Sequence, residues 1–426
     1  MAIELSNLTF TEQDDIVPTS GVEQIVNTGI ANTLAGDDII IGTGRPYTGF
    51  EGTEGIFNYG TINTDDGNDI ITGLGGIFSI FNYGTINTGN GNDIIRGIGN
   101  PTEVSNQLSL GIVTSGGIGI NTGDGDDIVT GIGNPGNGID INTSSINTGD
   151  GNDTITGSGY QSGIDVNYLA SINTGKGEDI ITGTGIGGLV INSGIFNTGD
   201  GDDIITGNSV VPTGEFTISD VGIGNGGTFN TGNGDDIITG TNSAGYGITN
   251  YFTAVMDTGN GNDSIISHGV LRNFGVIFLG EGNDSIITDT DILNRGIPNY
   301  PPAIDTGEGD DIITSAGVIY NEGVINTGNG EDSIIADGGF EGRGYVLLGE
   351  GEDYLKGFGS GEFSGGNGND TLELTSGTYT VGIWYTTVTF TKGSSIMIAP
   401  ECEKLIAGST TYDFTSLSQG QTITVA

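Results

Sequence analysis

Fourteen aspartates in this chain share one frame: Asp38, Asp69, Asp93, Asp127, Asp153, Asp179, Asp203, Asp236, Asp263, Asp284, Asp311, Asp332, Asp353 and Asp370. Each has a glycine two residues before it, from Gly36 to Gly368, and an aliphatic residue two after it, from Ile40 to Leu372. Chance does not give that agreement even in a glycine-rich chain, so the repeat is the unit of structure. Alternation after the aspartate makes the fixed aliphatic the inward side chain of a short strand. A second inward column lies seven residues before the aspartate, from Ile62 through Ile172 and Met256 to Phe363, and only Ala31 departs from it. A third lies six residues earlier still, at Ile56, Ile80, Val190, Ile223, Leu271 and Ile319. Three inward positions in the 21 residues from Asp311 to Asp332 predict three short strands per coil. The expected fold is all-β, a parallel β-solenoid of the β-roll or β-helix kind. Only 17 residues separate Asp353 from Asp370, so the last coil should be two-sided.

The turns read T-G-N-G-N-D at 88–93, T-G-D-G-D-D at 122–127 and T-G-E-G-D-D at 306–311. Two glycines flanking one residue permit positive φ, which allows successive carbonyls to point inward at one locus. A carboxylate added to them makes an all-oxygen ligand set, the kind calcium takes, six to eight oxygens in flexible geometry. One turn supplies too few, so a cation should sit between stacked coils, with up to about 13 such gaps. The charge calls for the same thing. Acidic residues outnumber basic ones 54 to 9, a net charge of −45 that repels itself unless cations are bound. Zinc lacks its usual ligands in a chain with one histidine and one cysteine. Magnesium demands tighter octahedral geometry.

These turns resemble the haemolysin-type calcium-binding (RTX) repeat, G-G-x-G-x-D-x-U-x, and GGNGNDTLE at 365–373 matches all nine positions. The resemblance covers about residues 30–375. The segment EKLIAGSTTYDFTSLSQGQTITVA at 403–426 resembles the tails of cyanobacterial RTX-like secreted proteins. It implies calcium held by Asp93, Asp127, Asp153, Asp179, Asp203, Asp236, Asp263, Asp284, Asp311, Asp332, Asp353 and Asp370. The flanking glycines would donate carbonyls: Gly89 and Gly91, Gly123 and Gly125, Gly149 and Gly151, Gly175 and Gly177, Gly199 and Gly201, Gly232 and Gly234. The later turns continue the set with Gly259 and Gly261, Gly280 and Gly282, Gly307 and Gly309, Gly328 and Gly330, Gly349 and Gly351, Gly366 and Gly368. Most turns put threonine where the family has its first glycine, as at Thr88, Thr148 and Thr198. The first two turns put Leu34 and Asp65 at the next position, which casts doubt on calcium there. One nonapeptide per coil, against the family's usual pair, predicts one column of sites.

Residues 1–24 are expected to form an N-terminal cap or stacking segment, 25–373 the solenoid and 374–426 a C-terminal β cap. By resemblance, that last segment also carries a type I secretion signal. The start has no basic, apolar leader, so an uncleaved route out of the cell is expected, with an extracellular or cell-surface location. Insertions at about 43–55, 99–116, 208–222 and 288–302 project from the coils. Asparagines six residues before the aspartate, such as Asn63, Asn87 and Asn121, predict an amide ladder. Nine scattered basic residues exclude a phosphate track for nucleic acid, and no stretch is long enough to span a membrane.

The function read from these features is a non-enzymatic calcium-binding structural or surface protein. Self-association into a filament or layer, or a surface polysaccharide, are its candidate partners. Two alternatives stand beside it. A carbohydrate-active β-helix lyase or epimerase would need an acid/base cluster, and His268 is the only histidine. An ice-binding or adhesin module would display outward threonines, but the middle turn position holds Asn90, Asp124, Lys176 or Glu281 instead.

Overall fold

The computed structural model describes residues 2–18, 23–44, 54–99, 109–210, 220–296 and 302–426. Of the four expected insertions, 45–53, 100–108, 211–219 and 297–301 lie outside those residues. Leu110–Ser115 and Ile292–Asn294, inside the expected bounds, do not project but are strands paired in the stack. The chain divides into two compact units, Met1–Gly232 with Thr239–Asn242, and Asn233–Ile238 with Ser243–Ala426. Each is a parallel β-solenoid.

In the first unit the residues after each aspartate form one ladder. Its strands are Ile39–Thr43, Ile70–Leu74, Ile94–Ile98, Ile128–Ile132, Thr154–Ser158, Ile180–Gly185 and Ile204–Ser209. They pair in parallel and residue for residue, so Ile155 lies between Val129 and Ile181. A second ladder runs from Gln24–Asn27 and Ile56–Asn58 to Val221–Asn225, and a third from Ile30–Asn32 and Thr61–Asn63 to Ser171–Asn173 and Ile195–Asp200. The solenoid is thus three-sided. Each coil turns three apolar side chains inward, with Phe196 and Phe229 replacing the aliphatic in two of them. Ile40, Ile56 and Ile62 are essentially inaccessible, as are Ile155, Ile164 and Ile172. Burying one such side chain stabilises by about 1.5–3 kcal/mol, and the repeat multiplies that gain.

The corner after the first strand needs a glycine. A Cβ on Gly157 would stand 2.2 Å from the Gly163 carbonyl oxygen, so the chain can bend there only without a side chain. Two details differ from the sequence expectation. Ala31 keeps its place in the second inward column, opposite Ile62, as a smaller filler. Val190 does not face inward. Leu189 and Ile191 are buried and Leu189 pairs with Ile223, because that coil is shifted by one residue, which reverses every side chain.

Polar ladders run beside the apolar ones. Asn87 donates to Asn63 at 2.6 Å, Asn121 to Asn87 at 2.7 Å and Asn147 to Asn121 at 2.6 Å, and the series continues through Asn173, Asn197 and Asn230. A fully buried series in the second unit, Asn250 to Asn273 to Asn294 to Asn321, repeats the device at 2.9 Å per step.

The second unit narrows. Its coils keep three strands as far as Ser333–Ala336, Phe340–Gly342 and Tyr345–Gly351. Between Asp353 and Asp370 only Tyr354–Lys356 and Gly361–Gly368 remain, with a single bridge from Phe340 to Gly359. That coil is two-sided, as its 17-residue length requires. Antiparallel strands Gly377–Trp384, Thr387–Lys392, Ser395–Ala399 and Thr422–Val425 follow, burying Tyr379, Val381 and Phe390. Lys404–Ala407 continues the aspartate ladder beside Thr371–Leu374. At the other end Ile16–Val17 pairs with Ile39–Thr43, and Ala2–Glu4 with Gln24–Asn27. Among the described residues no helix is long and apolar enough to cross a membrane.

Candidate metal centre: a buried column of aspartates

All twenty-four turn glycines singled out above have positive φ, for example 93° at Gly149 and 150° at Gly151. The two turns without the first glycine still hold positive φ at that place, 71° at Leu34 and 62° at Asp65, although Gly67 lies outside the left-handed region that the second glycine occupies in the later turns. The Asp69 Oδ2 is buried and unpartnered like those of the later aspartates. The glycine carbonyls run along the stack instead of converging. A Cβ on Gly149 would stand 1.7 Å from the Gly123 oxygen, and one on Gly151 1.9 Å from the Gly125 oxygen. Coils at strand spacing leave no room for side chains between these turns.

The bend folds each aspartate side chain under its own turn, where it is shielded from solvent. One carboxylate oxygen is used in the same way throughout. The backbone N–H of Asp93 donates to Asp127 Oδ1 at 2.7 Å, that of Asp127 to Asp153 at 2.8 Å and that of Asp153 to Asp179 at 2.8 Å. In the second unit the N–H of Asp263 donates to Asp284 at 2.8 Å, and the series ends with Asp353 on Asp370 at 3.0 Å. Residues outside the repeat close both ends. The N–H of Asp15 donates to Asp38 Oδ1 at 2.8 Å, and the N–H of Asp370 to Glu403 Oε2 at 2.9 Å. Sequence reading missed these two, which carry no repeat signature.

The other oxygen is left over. Oδ2 of Asp69, Asp93, Asp127, Asp153 and Asp179 is buried with no hydrogen-bond partner, and so is that of Asp263, Asp284, Asp311, Asp332, Asp353 and Asp370. Where a threonine stands five residues earlier it lies near the carboxyl and lowers its pKa somewhat, yet its hydroxyl is mostly spent elsewhere; Leu279, Leu348 and Gly365 hold that place before Asp284, Asp353 and Asp370. Thr88 donates to the Thr122 carbonyl at 3.3 Å and Thr174 to the Thr198 carbonyl at 3.0 Å. Threonine in place of the family's first glycine thus ties neighbouring coils together. Asp38 differs, because Thr33 does donate to its Oδ2.

Burial is the main cause that raises these carboxyls, and neighbouring carboxylates add to it. Asp69, Asp127, Asp179, Asp284 and Asp353 are raised to about 7, and Asp93, Asp153, Asp203, Asp263 and Asp311 to about 6. No lysine or arginine is among the groups acting on them. A charged oxygen without a partner in such a place is costly unless it is protonated or meets a cation. The residues therefore fit a bound cation. No three His, Cys, Asp or Glu side chains cluster as a cage among the described residues, so the ligand set would be one carboxylate per coil with backbone oxygens.

Other chemistry-bearing groups are accounted for differently. His268 Nδ1 lies 2.7 Å from Asp289 Oδ2 in an exposed pair. Asp140 and Asp165 pair in register, and both are raised first by burial, but asparagines engage them: Asn142 and Asn167 donate to Asp140 at 2.7 and 2.9 Å, and Asn192 to Asp165 at 2.8 Å. Cys402 is buried, and burial pushes its thiol up to about 12, which leaves it inert.

No protein family matches the chain, and no curated protein matches it. Among solved structures it is similar to a hyperactive, Ca2+-dependent, β-helical antifreeze protein from an Antarctic bacterium. The identity is 20%, with 82% of this chain and 84% of that chain covered, and the TM-score is 0.43.

Replacing one carboxylate by its amide isolates the orphan oxygen. Asp179→Asn keeps the acceptor for the Asp153 N–H and removes the charge. Calcium-free protein at pH 6, where the protonated carboxyls still support a fold, should then melt a few degrees higher than the parent chain, while one or two fewer calcium ions bind. Differential scanning calorimetry and calcium titration check the two halves.

Proposed function

We propose that the chain is a calcium-binding structural repeat protein of the RTX type that works outside the cell or on its surface. The observation that carries this is the column of buried, unpartnered Oδ2 atoms on Asp69 to Asp179 and on Asp263 to Asp370. Asp93 to Asp370 would hold calcium between coils, with glycine carbonyls of the turns as backbone ligands, and Asp69 joins the set. The bound ion supplies the positive charge that the column lacks. A chain of net charge −45 gains most from it.

Binding here is folding free energy, because the gaps exist only when coils stack. Low calcium inside a cell would keep the chain threadable for type I export, and the calcium outside would fold it. Far-UV circular dichroism at pH 7.5 during a calcium titration tests this. A large gain of β-signal on adding calcium supports the reading, and a full β-spectrum in excess chelator contradicts it. The reading is non-enzymatic: the one histidine sits in an exposed pair and the Asp140–Asp165 carboxyls are held by amides. Turnover of pectate or alginate by the pure protein would contradict that part.

A further inference from the structure

The aspartate ladder of the first unit has an outer face that the calcium reading does not use. In its seven strands the first, third and fifth residues after each aspartate point away from the core, in register from Ile39–Thr43 to Ile204–Ser209. The middle column reads Ile41, Thr72, Arg96, Thr130, Thr156, Thr182 and Thr206, so threonine holds five of its seven places. Isoleucine dominates the column beside it, and Ile128, Ile180 and Ile204 are about two-fifths exposed. The outermost column mixes isoleucine and leucine with threonine, serine and asparagine. The face holds one charge, Arg96, and no carboxylate, in a chain that carries 54 acidic residues.

We propose that this face binds ice. Its chemistry repeats at about 4.8 Å from coil to coil and about 6.7 Å along each strand. A surface that presents methyls and hydroxyls at regular spacings suits a ligand that is itself a lattice. Hydroxyls of the threonine column hydrogen-bond water, while the methyls beside them order the water they cannot bond. Stacks held by side-chain ladders, as here by asparagine and aspartate, are the sheets that stay flat.

The composition argues against other occupants. Protein partners are gripped by tryptophan, tyrosine and arginine, with threonine and leucine under-represented, and this face has no aromatic ring. Its extent is roughly 30 Å by 15 Å, short of the about 800 Å² per partner that a stable dimer buries. Sugar rings stack on aromatic faces, and the nearby rings of Phe57, Tyr59, Phe81 and Tyr83 belong to the second ladder and the turns after it.

The test is thermal hysteresis and partition into a growing ice hemisphere, on full-length protein with calcium whose fold is first verified by circular dichroism. That check separates a failure of ice binding from a failure of calcium-driven folding. The parent chain should show hysteresis and enter the ice. Thr156→Lys with Thr182→Lys should lower hysteresis at least several-fold at an unchanged spectrum. If that pair unfolds the coils, Ser158→Lys on the margin of the face provides a milder probe with the same expected direction. Thr389→Lys, on the outward side of the C-terminal antiparallel strands, should change nothing. Absence of hysteresis in the folded parent chain overturns the proposal, as does an equal loss in Thr389→Lys. A concentration-dependent dimer in sedimentation that Thr156→Lys with Thr182→Lys disperses would assign the face to a second copy instead.

Discussion

Calcium-free protein should be more stable at pH 5 than at pH 8. The buried aspartates have folded pKa values raised from 3.8 to about 6 or 7, so the folded state holds protons that the unfolded chain releases. The stability linked to them is complete below the unfolded value near 4. It is lost as pH rises through 6 to 7. Many coils carry the same shift, so the effects accumulate along each unit and the melting temperature should fall by tens of degrees or the fold should be lost altogether. Saturating calcium removes the dependence, because a cation then takes the place of the proton. Each site held at 100 times its Kd adds about 2.7 kcal/mol. Thermal melts by circular dichroism at pH 5, 6, 7 and 8, with calcium and with chelator, read both halves. A calcium-free protein that melts higher at pH 8 than at pH 5 would contradict the sign.

The second large effect comes from the backbone. Gly149→Ala places a Cβ 1.7 Å from the Gly123 carbonyl oxygen at a φ of 93°. Strain at such a φ costs about 1–3 kcal/mol. The clash with a fixed carbonyl adds to that, since neither neighbouring coil can retreat without breaking strand pairs on both sides. A total above about 3 kcal/mol is expected, enough to uncouple the coils around it. Gly393→Ala is the control. It also has positive φ, at 63°, but nothing lies within 4 Å of the added Cβ. It should cost about 1 kcal/mol. Urea unfolding of both variants with calcium present gives the comparison, and equal costs would show that the turns are not packed against each other.

Most of the architecture was legible because the repeat reports it many times over. The three inward columns, the asparagine ladder and the two-sided last coil follow from spacing alone. Val190 shows where spacing fails, since one inserted residue reverses a strand and a single coil offers no second reading. Leu34 and Asp65 show another limit. A backbone stacked on neighbouring turns can hold positive φ without glycine, and the residue identity does not signal it. The direction of the glycine carbonyls depends on how closely coils stack, which no single turn encodes. Asp15 and Glu403 close the ladder from segments without periodicity. The outward threonines at 130, 156, 182 and 206 were hidden for a different reason. The same place holds Ile41 and Arg96 in other coils, so the column has no uniform signature until the strands are stacked in register.

The central claim is that the stacked carboxylates are calcium sites. Calcium bound per chain, counted by equilibrium dialysis at pH 7.5, tests it most directly. The two aspartate runs, Asp38 to Asp203 and Asp236 to Asp370, predict on the order of ten ions per chain, and fewer after Asp127→Asn, Asp179→Asn and Asp284→Asn are combined. Binding of no more than about two ions, or a count that the triple variant leaves unchanged, would contradict it.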